Sequence, residues 1–283
     1  MRYSAILHGS MQDVLQKSAD NYEPRGRLDP VGFDGHVRFH TSLPPADLAP
    51  FIEHFWIICW DRLDDAYTSE EVMHRPYVDV FVSLQQSGIQ GTFRGKRTYV
   101  AAGSGRIIGC RFRPGAFRAF WGGTLANVHE KIIDLQQVFP QADRRYIEYL
   151  LTLDDQAAIC ELVQLVRANH PQRDANIEFI NEIITAIETD TSIQTVTAVA
   201  KAFSRSERWL QQLFQDYVGI GLKWLLQRHR LLAAARQIRE SDQPHWAIIA
   251  YDHGYSSQQH FITAFRQVLG KTPLQYKKEL TKL

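Results

Sequence analysis

Two short polar clusters carry the chemistry legible in this chain. The first is Glu207, Arg208, Gln211, Gln212 and Gln215. The second is Ser257, Gln258, Gln259, His260 and Thr263, with Arg266 nearer the end of the same segment. Residues three and four apart share one face of a helix. Arginine on such a face can grip guanine with two hydrogen bonds, and glutamine can grip adenine in the same way. Each cluster alone reads equally well as a solvated helix face. What separates them from that reading is the apolar frame behind them, which follows one plan twice.

The first copy is AVAKAFSRSERWLQQLFQDYVG, from Ala198 to Gly219; the second is AIIAYDHGYSSQQHFITAFRQVLG, from Ala247 to Gly270. Leu210 aligns with Phe261, Phe214 with Phe265 and Gly219 with Gly270 at one constant offset. A short helix, a turn and a second anchored helix make a helix-turn-helix unit. In the first copy Val196, Val199, Ala200 and Phe203 form an inner face, and Ser204-Arg205 makes the turn. Ser206 is placed to cap the next helix, which buries Trp209 or Leu210, then Leu213 and Phe214. In the second, Ile248, Ile249 and Ala250 point inward, Gly254 supplies a positive φ, Ser256 or Ser257 is the cap, and Phe261 and Phe265 are anchors.

The connecting stretch KWLLQRHRLLAAARQIRE, Lys223–Glu240, contains no Gly or Pro. It reads as one helix of roughly 27 Å. With its flanking turns it can hold two recognition helices about one DNA turn apart, ~34 Å. Arg228, Arg230, Arg236 and Arg239 lie on or near it. The expected phosphate contacts, which position a protein without reading sequence, are Lys201, Arg205, Ser206, Arg228, Arg230, Arg266 and Lys271.

Charge supports a polyanionic partner for this half. The chain of 283 residues has a formal net charge of +1. From Asp190 onward there are 13 Lys+Arg against 7 Asp+Glu, or +6, while the preceding residues hold 19 against 24, or −5. Three scattered cysteines, Cys59, Cys110 and Cys160, give neither a CxxC pair nor a disulfide framework. The longest apolar run is Phe55–Trp60. It falls far short of the length a helix needs to span a bilayer. A soluble, cytoplasmic protein is expected, with no membrane partner.

Residues 1–50 are rich in turn signals, with a short helix expected over Met11–Ala19. Residues 51–113 read as β: Phe55–Trp60, the alternation of Val78, Val80 and Val82, then Gln90–Phe93, Arg97–Ala101 and Ile107–Phe112, separated by Gly88, Gly95 and Gly103–Gly105. Short strands with glycine turns suggest a sandwich or small barrel. The stretch GSGR, Gly103–Arg106, reads as a hairpin-like turn. From Pro114 the period changes to helical, with Phe117, Phe120 and Trp121 on one face and Gly122-Gly123 as the stop. Asp143–Leu151, Gln156–Asn169 and Asn176–Thr189 follow as helices. His36, His40, His54 and His74 have no metal-ligand spacing. Arg111 and Arg113, with the aromatic Trp56, are the candidate effector-binding residues; the arginines could clamp an acidic group, or pair with protein carboxylates. No catalytic residue, cofactor or metal is expected.

The C-terminal hundred residues resemble the AraC/XylS family of transcriptional regulators. The resemblance rests on Ala200, Ser206, Leu210, Phe214 and Gly219 in the first copy. In the second it rests on Ile249-Ala250, Gly254-Tyr255, His260-Phe261, Phe265, Gly270, Pro273 and Tyr276, within GYSSQQHFITAFRQVLGKTPLQY. It implies two helix-turn-helix subdomains on a linker helix, binding promoter DNA, with base contacts from Arg208, Gln211, Gln212, Gln259, His260 and Thr263. Leu222 stands where the family commonly has proline, and His253 where it commonly has an apolar residue. Residues about 40–140 resemble a domain found ahead of such heads. The matching pieces are FIEHFWIICWD, HRPYVDVFVSL, GCRFRPGAFRAFWG and KIIDLQQVF.

The expected architecture is α+β. A β-rich barrel or sandwich with flanking helices covers 1–172, and an all-α tandem helix-turn-helix domain covers 173–283. The units are 196–219 and 247–270, and the linker helix is 222–240. The expected function is sequence-specific regulation of transcription, without enzyme activity. The partners are double-stranded promoter DNA, a small-molecule effector and RNA polymerase, and the protein acts as a monomer or homodimer. The N-terminal half senses that effector or mediates dimerisation. The competing reading is an enzyme or ligand-binding protein tethered to DNA by the C-terminal head.

Overall fold

The computed structural model describes residues 37–71, 76–93 and 97–280. The helix expected over Met11–Ala19, His36 and His74 lie outside them. Six strands form one antiparallel sheet in the order β1-β2-β5-β3-β4-β6: β1 Val37–Ser42, β2 Ile52–Glu71, β3 Asp79–Val82, β4 Gly88–Gln90, β5 Arg97–Phe112 and β6 Ile132–Ile133. Among the described residues no second sheet faces it and no pairing closes it, so the expected sandwich or barrel reduces to a single sheet.

The strands follow the β pattern of the sequence, but the glycines between them do not all make turns. Arg97–Ala101 and Ile107–Phe112 are one strand, and Gly103–Arg106 is inside it. The glycines bend the strand instead of reversing it. Gly103 has φ 61 and pairs with Leu63 between two register shifts, as at a β-bulge. Gly105 and Gly109 pair with Trp60 and Trp56, whose rings lie over them. A side chain at either glycine would collide with an indole.

Phe55, Ile57, Val80, Val82, Ile108, Cys110 and Phe112 face one way and are buried. Helices α1 Arg144–Thr152 and α2 Asp155–Arg167 share that core through Leu150, Ile159, Leu162, Val163 and Val166. Asp143 and Asp154 cap the two helices by accepting from Tyr146 and Ala157 N–H groups. The segment after Pro114 forms only a 3-10 turn, Ala116–Ala119, where an ordinary helix was expected. It drops Phe117 into the core, edge-on to Phe112 at 5.0 Å.

The remaining helices are α3 Ala175–Thr189, α4 Val196–Ala202, α5 Glu207–Tyr217, α6 Leu222–Glu240, α7 Trp246–Asp252, α8 Gln258–Leu269 and α9 Pro273–Leu280. They build two cores. The first unites Ile180, Ile183 and Ile187 of α3 with Val199, Leu210, Leu213, Phe214, Leu222, Leu225 and Leu226. The second unites Leu231, Ala234, Ala235 and Ile238 of α6 with Ile249, Ala250, Phe261, Phe265 and Tyr276. One half of α6 therefore serves each core, which is why this helix carries apolar residues on more than one face.

Candidate nucleic-acid interface

The two helix-turn-helix units close their turns with the same hydrogen bonds. Phe203 and His253 N–H donate to Val199 and Ile249 carbonyls, and Arg205 and Tyr255 N–H donate to Ala200 and Ala250 carbonyls. Ser204 thus corresponds to Gly254, and Arg205 to Tyr255, one position out of step with the Leu210–Phe261 alignment. Ser256 is the extra residue of the second turn. Ser204 takes φ 52 where the second unit has Gly254 at φ 71. A non-glycine residue there is strained, modestly so for a short polar side chain that can bond locally.

Each second helix starts on a serine. Ser206 accepts from Trp209 N–H at 3.2 Å, and Ser257 from His260 N–H at 3.1 Å, which selects Ser257 over Ser256. The anchors Leu210, Phe214, Phe261 and Phe265 are 0% exposed. Arg208, Gln211 and Gln212 are exposed on α5, and Ser257, Gln258, Gln259, His260 and Thr263 at the N-terminal end of α8. Several are already oriented. Gln212 Nε2 donates to Asp216 Oδ2 at 2.9 Å. Thr263 Oγ1 donates to the Gln259 carbonyl at 2.9 Å. His260 meets Tyr255 edge-on at 5.3 Å. Gln259, Thr263 and Arg266 come together around a shallow hollow of ≈ 390 Å³.

The expected phosphate contacts divide. Lys201, Arg205, Ser206 and Arg266 are exposed. Arg228 is 8% exposed, turned into the protein on a helix that is apolar on more than one side, and so is withdrawn from a phosphate-facing position. Arg230 is half-buried; it donates to the Gly254 carbonyl at 3.2 Å and covers the Tyr255 ring at 5.0 Å. Burial pushes the Tyr255 hydroxyl up to about 12, so it stays neutral. Lys271 pairs with Glu279. Of the two residues offered for the core, Leu210 fills it and Trp209 does not; one apolar expectation shifts, since Ile248 is 54% exposed where it was expected to pack.

Two of the effector candidates bond within the protein. Arg111 makes a buried two-bond pair with Asp79, at 2.9 and 3.1 Å. Arg113 Nε donates to the Ala49 carbonyl at 2.7 Å. Trp56 lies over Gly109. A second hollow, of ≈ 660 Å³ and lined in part by Ser83, Gln86, Asp134 and Arg144, includes none of the three.

Sequence reasoning missed a junction at the end of α5. Tyr217 OH donates to Asp174 Oδ2 at 2.6 Å and accepts from Asn176 Nδ2 at 2.9 Å, while Arg118 lies 5.8 Å from its ring. Burial first, and then Asp174, raise the tyrosine's pKa, which keeps the hydroxyl a donor. Asn181 Nδ2 donates to the Pro114 carbonyl at 3.0 Å. Gly219, at φ 77, has no room for a Cβ, which would lie 2.7 Å from the Leu125 carbonyl oxygen. Nothing periodic marks these residues, because they join elements remote in sequence.

Two capped helices on a shared helix, with guanidinium and amide groups outward, have the arrangement of a tandem helix-turn-helix DNA-binding head. The chain belongs to the AraC family. Residues 199–279 match a family described as a helix-turn-helix domain, and residues 40–134 one described as a domain of unknown function (DUF6597). The regulatory protein SoxS of Salmonella typhimurium is 35% identical over 85 residues, covering 30% of this chain and 78% of SoxS. An AraC-like transcription regulator of Streptomyces antibioticus is 39% identical over 84 residues; the match covers 30% of this chain but only 27% of that protein's length. Among solved structures, the C-terminal domain of AraT, a response regulator from Geobacillus stearothermophilus, is similar at 27% identity and TM-score 0.33, over 35% of this chain and 84% of that one.

Proposed function

We propose that this chain regulates transcription in the cytoplasm by reading two adjacent major-groove segments of promoter DNA, one with each recognition helix. The supporting observation is that the base-reading side chains of α5 and α8 are exposed while every apolar anchor behind them is buried. Arg208, Gln211 and Gln212 read one segment; Ser257, Gln258, Gln259, His260 and Thr263 read the other. Lys201, Arg205, Ser206 and Arg266 hold phosphates. The division of labour is residues 1–172 for regulation and 173–283 for reading. The N-terminal part acts on the reader by binding a small molecule or by self-association. A ligand that takes the Nε–Nη2 edge of Arg111 has to displace Asp79, so a two-bond clamp for acidic effectors on that edge is a costly use of the residue.

The test is selection of bound duplexes from a random pool with the full chain. The expected result is an enriched site with two conserved patches, bound far more tightly than unrelated duplex and with steep salt dependence. Recovery of sequence-indifferent duplexes sinks the proposal.

A further inference from the structure

Arg205 is held by an aromatic cage that no repeat logic requires. Its guanidinium carbon is 5.3 Å from the centre of the Trp209 ring and 5.6 Å from that of Phe179. Phe179 meets Trp209 at 5.7 Å and Phe203 at 5.5 Å, edge-on in both cases. Trp209 is 39% exposed, a large apolar area to leave in water on a short helix. Its position explains the exposure: Leu210 takes the core site, and the indole is left as a wall beside the turn. Phe179 comes from α3, outside the helix-turn-helix unit altogether.

The second unit shows what the cage replaces. There the equivalent of Arg205 is Tyr255, buried at 5% exposure, and the cation is Arg230 from α6, which lies over it. Both turns thus carry a cation–ring contact, with the roles exchanged. In the second unit the cation is half-buried and bonded to the Gly254 carbonyl. In the first it is exposed, belongs to the turn itself, and precedes the capped start of the recognition helix by one residue.

From this we infer that Phe179 and Trp209 are positioning residues which hold Arg205 in place for a DNA phosphate, making the first unit the pre-set anchor of the pair. The inference rests on the proposed DNA-reading function. A free arginine gives up rotamer freedom when it is immobilised on a ligand, and a ring-stacked guanidinium has already given up much of it. The rings attract the cation but carry no counter-charge, so its formal charge and its N–H edge stay available to a phosphate.

The experiment measures affinity of the full chain for a duplex recovered by random selection, over a range of salt. Arg205→Ala is expected to weaken binding and to lower the slope of log affinity against log salt by about one phosphate's share. Phe179→Leu is expected to weaken binding about two- to tenfold with the slope unchanged, the cost of immobilising one long side chain. Phe179→Tyr, which keeps the ring, is expected to bind like the original. In an Arg205→Ala background, Phe179→Leu is expected to have no further effect. An equal loss from Phe179→Leu in both backgrounds means that Phe179 only supports the fold, and overturns the inference. An unchanged salt slope in Arg205→Ala overturns it as well. If the unaltered chain shows no sequence-selective binding, the function itself fails, and that outcome is distinct from the other two.

Discussion

The family resemblance leads to an apolar side chain where this chain has His253, and the surroundings of the imidazole show how it is accommodated. It is half-buried, and its Nε2 lies 2.8 Å from Gln237 Oε1. With the amide oxygen accepting, Nε2 carries the proton of the neutral ring. Burial, and secondarily Arg230, pull its pKa below the ordinary 6.5, against the opposing pull of Asp252. His229 is lowered too, by burial, then by Arg236, Arg228 and His253. A depressed pKa in the folded state means that the unfolded chain binds the proton better. Stability is then whole above about pH 6.5 and declines as the pH falls below it. Thermal melting of the full chain from pH 8 to pH 5 is expected to show a drop on acidification that is shallower in His253→Gln. Equal pH profiles for the two proteins defeat this assignment. The imidazole's departure from the usual residue type was legible in sequence. The fate of Arg228 was not. Four arginines lie on or beside an unbroken helix with apolar residues on more than one face, and no periodicity says which of them turns inward.

At the level of elements, the repeats were legible because glycine, serine and large apolar anchors recur at fixed steps. Gly219 and Gly270 illustrate the limit of that reading. They align in sequence, and both take a left-handed backbone, at φ 77 and φ 71. In sequence they are equivalent; in the structure they are not. Gly270 ends α8, donating its N–H to the Arg266 carbonyl. Gly219 lies just past the cap of α5, donates its N–H to the Phe214 carbonyl, and leaves no room for a Cβ beside the Leu125 carbonyl and Thr92 Oγ1. Gly270→Ala is expected to cost about 1–2 kcal/mol, the penalty for an L side chain in that conformation. Gly219→Ala adds a backbone collision and is expected to cost clearly more. It is also expected to expose the segment around Leu125–Val128 to faster amide exchange. Urea denaturation and hydrogen exchange of the two variants check this, and equal costs with unchanged exchange refute it. The strands followed the same rule. Alternating Val78, Val80 and Val82 announced β3, while Gly103–Gly105 pointed to a turn because a bulge and a hairpin share the same glycine signal.

At the scale of the whole molecule, the linker helix ties two similar units into one body. Leu222, Leu225 and Leu226 belong to the first core, and Leu231, Ala234, Ala235 and Ile238 to the second. The helix runs unbroken from Leu222 to Glu240, so the recognition helices are tied to one rigid rod. This arrangement was legible in the sequence, since an unbroken helical run of fitting length stands between the copies. The docking of the first unit on the sheet domain was not, because Tyr217, Asp174, Arg118 and Thr124 come together only through tertiary folding. On the proposed reading, Arg208→Ala and Gln259→Ala act on different parts of one binding site. Each is expected to relax base preference in its own patch by about 1–3 kcal/mol. The patches should lie about one helical turn, ~10 base pairs, apart. Because the two residues sit on helices packed into separate cores and share no partner, the double variant is expected to lose the sum of the single losses. Selection of random duplexes with each variant, followed by affinity measurement on systematically altered sites, reads all three quantities. If both substitutions relax the same base pairs, or the double variant departs from the sum by much more than ~0.5 kcal/mol, the rod does not hold two independent reading heads.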